Sequence, residues 1–358
     1  MPDATTIHVQ PVWAERIAVD ILKAAGVPGS HAAITAEQLV LADLRGVDTH
    51  GLMRLPNYIG RIRKGELHAA VEPTVLTETP GTATIDGRHG LGQVCSQVAM
   101  SLAITKAGQT GVGAITVKNS SHFGAAAGYP MMASDHGCIG MATTNAWPLL
   151  PAVGGAARRV GNNPLAIAAP TRLGYPIVLD IAMSHVAAGR LRIAADGDNV
   201  IPPDWAFGKD GLPTTDARQA LFGGGFLRPM SDHKGFGLAL MMDILAGVLS
   251  GAGFGAAVTG PDEPGYVHVG HFFVAFDIGA FIGLEQFLDR IDELADHIHS
   301  SPTRQGVDRV YVPGEIEAEK TVEARRSGIA YRRNVYERLL CIADELGVTV
   351  AEPGSLSA

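Results

Sequence analysis

Apolar residues over 12–25 recur with helical spacing and stop at Gly26, which predicts a first helix. Ser30 is placed to cap a second helix reaching Leu44, with Glu37 and Asp43 on its polar side and Gly46 ending it. A third helical stretch, broken near Pro56, runs to Lys64 before Gly65. From about residue 72 the period shortens. Runs at 82–85, 112–117, 139–143, 165–169 and 177–179 read as strands, and helices at 94–106 and 184–194 alternate with some of them.

The segment 196–228 is rich in Gly, Pro and Asp and has little periodicity, so a long loop over the surface or a site is expected. A buried helix is expected over 235–249 and a strand over 271–276. Amphipathic helices at 284–299 and 334–346 follow. The alternation is that of an α/β protein. The helical ends, 1–71 and 281–358, are expected to form one domain around a β-rich cofactor and substrate domain, 72–280.

Composition narrows the function classes. Lys and Arg total 28 against 36 Asp and Glu, with no basic stripe, so nucleic acid is not an expected partner. An anionic substrate would need specific local cations. Three cysteines, Cys95, Cys138 and Cys341, are too few and too widely spaced for a disulfide framework or a structural zinc site. That suits a reducing compartment, the cytoplasm. The N-terminal stretch has neither the basic flank nor the apolar block of a signal peptide. The most apolar run, 238–253, is short for a bilayer and contains Asp243, so no membrane partner is expected.

One glycine cluster invites a dinucleotide reading: a β-run at 84–86, then Gly87, Gly90 and Gly92 opening a helix. Its spacing is GxxGxG rather than GxGxxG. The next strand ends in Lys118 and Asn119 rather than in an acid for the ribose. A plain strand–turn–helix is the better reading, and any dinucleotide site must be built differently.

Six segments carry candidate chemistry. In the first, Thr49 can orient the imidazole of His50, and Arg54 and Tyr58 follow at four-residue intervals. Histidine passes protons near neutral pH and arginine grips a carboxylate with two hydrogen bonds. A helix boundary with an Asp48–Arg54 ion pair would explain the same residues. In the second, a strand ends in a polar turn carrying His122. The third places Arg158 and Arg159 before the turn residues Asn162 and Asn163. The fourth is an apolar strand ending in Asp180, with Ser184 placed to cap a helix. The fifth puts Lys234 at the entry to an apolar helix, where a cation opposes the helix dipole and an anion would relieve it. The sixth is a turn at Pro313 and Gly314 followed by Glu315 and Glu317, acids suited to a first helical turn.

Taken in order, GVDTHGLMRLPNY (46–58), VKNSSHFG (117–124), GNNPLAIAAP (161–170), VLDIAMS (178–184), HKGFGLALMMDILAGVLSGA (233–252) and VPGEIE (312–317) resemble the malate/L-lactate dehydrogenase family that is unrelated to the Rossmann-type enzymes. The resemblance spans about residues 12–333. It also takes in ureidoglycolate and sulfolactate dehydrogenases, 2,3-diketogulonate reductases and cyclic-imine reductases.

It implies a non-Rossmann NAD(P)-binding fold with a mixed, largely antiparallel sheet and helical N- and C-terminal parts, and a homodimer. By resemblance, His50 and His122 fall on acid–base positions, with Thr49 beside His50. Arg54 falls on a substrate-carboxylate contact, with Tyr58 near it and Arg159 a further candidate. His122, Asn145, Asp180, Ile181, Ala182, Lys234, Pro313, Gly314 and Glu315 fall on cofactor-contacting positions. Thr49 stands where many members carry Ser, and Ala146, Trp147 and His185 depart from the usual residues.

The expected reaction is hydride transfer between NAD or NADP and C2 of a small 2-oxo or 2-hydroxy acid. Reduction of a cyclic imino acid, piperideine- or pyrroline-2-carboxylate, is the alternative. A metal-dependent hydrolase is disfavoured because no ligand spacing such as HExxH occurs among the 13 histidines.

Overall fold

The computed structural model describes residues 6–260 and 263–351. Strand β1 (Thr6–Val9) leads into α1 (Pro11–Ala24), which starts on a proline whose fixed φ suits a first turn. Helix α2 (Gly29–Leu44) begins after Pro28, so Ser30 lies inside its first turn and makes no side-chain cap. Two 3₁₀ turns, Asp48–His50 and Leu52–Arg54, precede α3 (Leu55–Arg63), in which Pro56 sits where its missing N–H costs nothing.

The central sheet has seven strands. In chain order they are β2 (Thr74–Glu78), β3 (Thr82–Asp86), β4 (Val112–Ser120), β5 (Cys138–Thr144), β8 (Leu165–Ala169), β9 (Ile177–Ile181) and β12 (Val269–Asp277). The short β6 (Leu150–Pro151) and β7 (Arg158–Val160) pair outside it. The spatial order is β2-β3-β4-β12-β5-β8-β9. Only β3 and β4 run parallel, joined by α4 (Gly92–Thr110). Every other neighbouring pair is antiparallel. This is the mixed, largely antiparallel sheet that was expected, and the glycine turn before α4 belongs to a single parallel crossover. Helix α5 (Gly128–Ser134), which periodicity did not mark, packs on β5 and β8.

The stretch 196–228 is not one long loop. After α6 (Ala188–Asp196) it forms β10 (Ala206–Phe207), α7 (Ala217–Leu221) and β11 (Phe226–Leu227). Asp216 caps α7 by accepting from the Arg218 and Gln219 amides. These elements share an apolar core with Leu149, Leu150, Val160, Leu191 and Met242. They are too short to show a period. Ser184 does not cap a helix either: its hydroxyl donates to the Val186 carbonyl, and α6 begins four residues later.

Helix α8 (His233–Asp243), continued by a π turn at Ile244–Val248, is apolar but not fully buried in the chain. Met241 is 50 % and Leu249 59 % exposed, and Leu240 and Val248 join them. Periodicity cannot tell a face covered by its own chain from one left open.

The chain closes with α9 (Leu284–His299), α10 (Glu315–Ser327), β13 (Ile329–Arg332) and α11 (Arg333–Glu345). Strand β13 pairs antiparallel with β1, and Ile329, Tyr331, Leu339 and Ile342 enter the core of α1–α3. Helix α9 contributes no residue to that core. Its Glu285 and Asp289 pair with Arg172, on the loop between β8 and β9. Among the described residues, no helix is long and apolar enough to cross a membrane.

Candidate active site

The segment bearing His50 is shaped by a buried carboxylate. Asp43 Oδ2, near the end of α2, accepts from the Leu52 amide at 2.9 Å and from the Tyr331 hydroxyl at 2.6 Å. A Cβ at Gly51 would overlap the Asp43 carboxylate, so only glycine lets the backbone pass this close. Burial pushes the Asp43 carboxyl up to about 7 from the usual 3.8.

Such a carboxyl holds its proton more tightly folded than unfolded. Its contribution to stability is full below about 3.8 and is lost as pH rises through about 7. Asp43→Asn, neutral throughout, should therefore gain stability relative to the parent as pH rises from 4 to 8. Melting temperatures across that range would check it, and a pH-independent difference would refute it.

This turn delivers three side chains to one cavity. Thr49 Oγ1 lies 2.9 Å from His50 Nδ1, and Arg54 Nε donates to the Thr49 carbonyl at 2.6 Å. Tyr58 stands one turn further along α3. The chain is not a continuous helix from His50 to Tyr58, yet the residues still face the same space because two 3₁₀ turns feed into α3. The Asp48–Arg54 ion pair does not form: Asp48 lies near Arg332, and among the described residues no acid pairs with Arg54. Burial lowers the pKa of Arg54, and that of His50 falls to about 3 because burial and the Arg54 cation both oppose its charge.

His122 arrives from the other side, past the end of β4. A Cβ at Gly92 would overlap the Ser121 carbonyl and lie 2.5 Å from that of His122. The glycine cluster thus seats the His122 turn on the start of α4. The His50 and His122 rings stack 5.5 Å apart at 19°. Tyr58 Oη lies 2.7 Å from His122 Nδ1, Gln93 Nε2 donates to Tyr58 Oη at 2.9 Å, and the Gly124 amide donates to Nδ1 at 3.3 Å. Burial, then Arg54, His50 and His271, hold His122 well below the usual 6.5. Gln93 escaped the sequence reading because a lone glutamine beside a glycine turn carries no motif.

The cavity has a volume of about 640 Å³ and extends from these residues to a second wall. There Asp180, Ile181 and Ala182 at the end of β9 lie beside Pro313 and Gly314. Gly314 has φ +90°, and a Cβ on it would meet the Val178 amide at 2.9 Å, while that amide donates to the Pro313 carbonyl at 2.9 Å. Asp180 Oδ2 accepts from the Ala127 amide at 3.0 Å, and burial lifts its carboxyl to about 6. The run from Gly124 to Gly128 lines the floor with backbone and methyl groups.

Arg45, unmarked in the sequence, also lines this end, and its buried Nε has no partner. A cavity of this volume, with a wall of backbone and methyl groups, the Asp180 carboxyl for ribose hydroxyls and the Arg45 guanidinium beside it, has room and polar groups for a dinucleotide.

Four candidates lie elsewhere or are otherwise engaged. Lys234 is exposed on the first turn of α8 and does not line the cavity. Arg159 is exposed and, among the described residues, donates to the Arg158 carbonyl; Arg158 itself braces the carbonyls of Ala220, Leu221 and Gly225. Glu315 points away from the cavity to His299, Arg309 and the Val312 amide. Asn145 lines the wall, but its amide is spent on Asp243, Gly253 and Gly270. Among the described residues, no group of three or more His, Cys, Asp or Glu could hold a metal.

The chain is similar to known proteins over nearly its whole length. A malate dehydrogenase of Pyrococcus horikoshii is 41 % identical over 337 residues, covering 92 % of this chain and 93 % of its own. An L-sulfolactate dehydrogenase of Methanocaldococcus jannaschii is 37 % identical, covering 96 % and 98 %. The crystal structure of malate dehydrogenase from Entamoeba histolytica superposes with a TM-score of 0.93 at 30 % identity, covering 96 % of this chain and 99 % of that one. The family model for malate/L-lactate dehydrogenase matches residues 9–340, and the chain belongs to that family.

Proposed function

We propose that this chain oxidises and reduces a small 2-hydroxy acid and its 2-oxo partner, with malate- and sulfolactate-like acids first in line. Membership of the family makes it an oxidoreductase using NAD or NADP. One observation carries the site assignment: His50, Arg54, Tyr58 and His122, drawn from two distant segments, face one end of a single cavity.

Arg54 binds the substrate carboxylate. Its Nε is committed to Thr49, which leaves the two terminal nitrogens for a paired contact. A half-buried cation that pairs with no acid among the described residues awaits an anion. Tyr58, beside Arg54, borders the same end. His50 and His122 flank the position of C2 and its oxygen, where one of them moves the proton, and Thr49 orients His50. Asp180, Ile181, Ala182, Pro313 and Gly314 would hold the cofactor, which when bound supplies or removes a hydride at C2. Holding C2 fixed between these groups is a positioning effect. Residues of 1–71, of 281–358 and of 72–280 all line the cavity, which supports a division into helical ends and a β-rich part.

A panel of oxaloacetate, sulfopyruvate, pyruvate and piperideine-2-carboxylate with NADH and NADPH, read at the nicotinamide absorbance, tests the reading. Turnover of the 2-oxo acids supports it. Turnover confined to the cyclic imine would replace it with the imine reductase reading.

The homodimer is part of the proposal. The open apolar face on α8 supports it, because monomers rarely leave such a patch uncovered. Met241→Glu should shift the particle to monomer mass by light scattering, and an unchanged mass would place the interface elsewhere. Three unpaired thiols suit a cytoplasmic setting.

A further inference from the structure

The proton-bearing nitrogen of His122 follows from groups whose polarity is fixed. The Gly124 backbone N–H points at His122 Nδ1, at 3.3 Å. A backbone amide can only donate there, so Nδ1 is an acceptor. Tyr58 Oη lies 2.7 Å from the same nitrogen and must donate as well. A phenol has one proton. With that proton committed to His122, the Tyr58 oxygen is left as an acceptor, and Gln93 Nε2 supplies the donor at 2.9 Å. Gln93 is fully buried at the start of α4, and its Oε1 has no partner. Turning the amide over would leave the other end unpaired instead, and only the present orientation feeds the Tyr58 oxygen.

We propose that Gln93 is a positioning residue that sets the direction of the chain Gln93→Tyr58→His122, fixes the Nε2–H tautomer of His122, and so makes His122 the group that hands a proton into the cavity. This rests on the oxidoreductase reading of the site. No described residue bonds to Nε2, which is left for the substrate oxygen. His50 is under no such control, because the Thr49 hydroxyl can donate to or accept from its Nδ1.

The proton balance closes. As the hydride reaches C2, the oxygen on C2 takes the Nε2 proton. Nδ1 takes the phenolic proton of Tyr58, and a phenolate remains beside the Arg54 cation and the Gln93 amide. One negative charge passes from alkoxide to phenolate. Burial holds the Tyr58 phenol up to about 12, with Arg54 pulling it back, so it rests protonated and yields only to a strong base such as an alkoxide. The neutral ring needs this resupply because burial and the facing Arg54 cation, with His50 and His271 packed close, keep it from carrying two protons.

Gln93→Glu tests the direction. A protonated glutamic acid donates through its hydroxyl as the amide does. The ionised form only accepts, and it turns the Tyr58 proton away from His122. Expected is a kcat near the parent's at the acid end that falls at least about tenfold as the introduced carboxyl ionises, a step the parent lacks. Gln93→Leu should lower kcat with no new ionisation. A Gln93→Glu profile that superimposes on the parent's would overturn the proposal.

A second readout needs neither a folded variant at position 93 nor turnover. In ¹⁵N-histidine-labelled parent protein, the His122 signals, identified by their loss in His122→Asn, should show a proton on Nε2 and none on Nδ1. A proton on Nδ1 would overturn the assignment. This measurement stands even if the substrate panel fails, so the two failures are distinguishable.

Discussion

His122→Ala should lower kcat by roughly 10²–10⁴-fold, the usual contribution of a positioned proton donor, with the fold intact. The expectation rests on contacts that meet at this cavity-lining ring: Tyr58 and the Gly124 amide on Nδ1, the His50 face at 5.5 Å, and an Nε2 that no described residue bonds. On the proposed reading, in which His50 closes the other side of the reacting oxygen, His50→Ala should also cost orders of magnitude. Steady-state rates with the best substrate of the panel, alongside circular dichroism of each variant, give the measurement. Near-parental rates in both variants would remove the acid–base assignment. Burial and the Arg54 cation hold His122 well below the usual 6.5, so the loss should be the same from pH 6 to 8 rather than tracking an imidazole titration near 6.5.

Arg54→Ala should act mainly on substrate binding. Removing one partner of a buried charge-assisted pair costs about 2–5 kcal/mol, so kcat/KM for the 2-oxo acid should fall by roughly 30- to 5,000-fold. Most of that should appear in KM, because the carboxylate is held alike in ground and transition states. Arg54→Lys should recover only part of the loss, since an ammonium cannot make the paired contact and cannot also hold the Thr49 carbonyl in the same way. Initial rates at varied acid concentration, with NAD(P)H saturating, separate the two constants. An unchanged KM in Arg54→Ala would place the carboxylate elsewhere, with Arg45 the next cation to examine.

The strands and helices that periodicity announced are those long enough to bury a whole face. Examples are α1, α4, β4 and β12, each found within a few residues of its expected place. The elements it missed are short, such as β10, α7 and β11, or rest on distant partners, such as β1 on β13. The same limit applied to the site. His50, Arg54, Tyr58, His122 and Asp180, which line one cavity, could be singled out because their residue types carry chemistry at turns and strand ends, and the order of six segments tied them to one family. Gln93, Asp43 and Arg45 were not, because a buried amide, carboxylate or guanidinium shows its role only through what it touches. Lys234, Arg159 and Glu315 show the converse. Each has a suggestive side chain, and in this chain each points to solvent or to structural partners.

Local pattern and the identity and order of motifs were enough for the family, the nicotinamide chemistry, the mixed sheet, and the failure of the glycine cluster as a phosphate loop. The folded chain was needed to see that Gly51 and Gly92 let Asp43 and the His122 turn approach. It was needed again to see that His50 and His122 stack, and that a fixed backbone amide and a buried glutamine set which ring nitrogen carries the proton. Hydrogen-bond direction depends on which donors and acceptors meet in space, and residues 58, 93 and 122 meet only once the sheet and the helical ends have closed around the cavity.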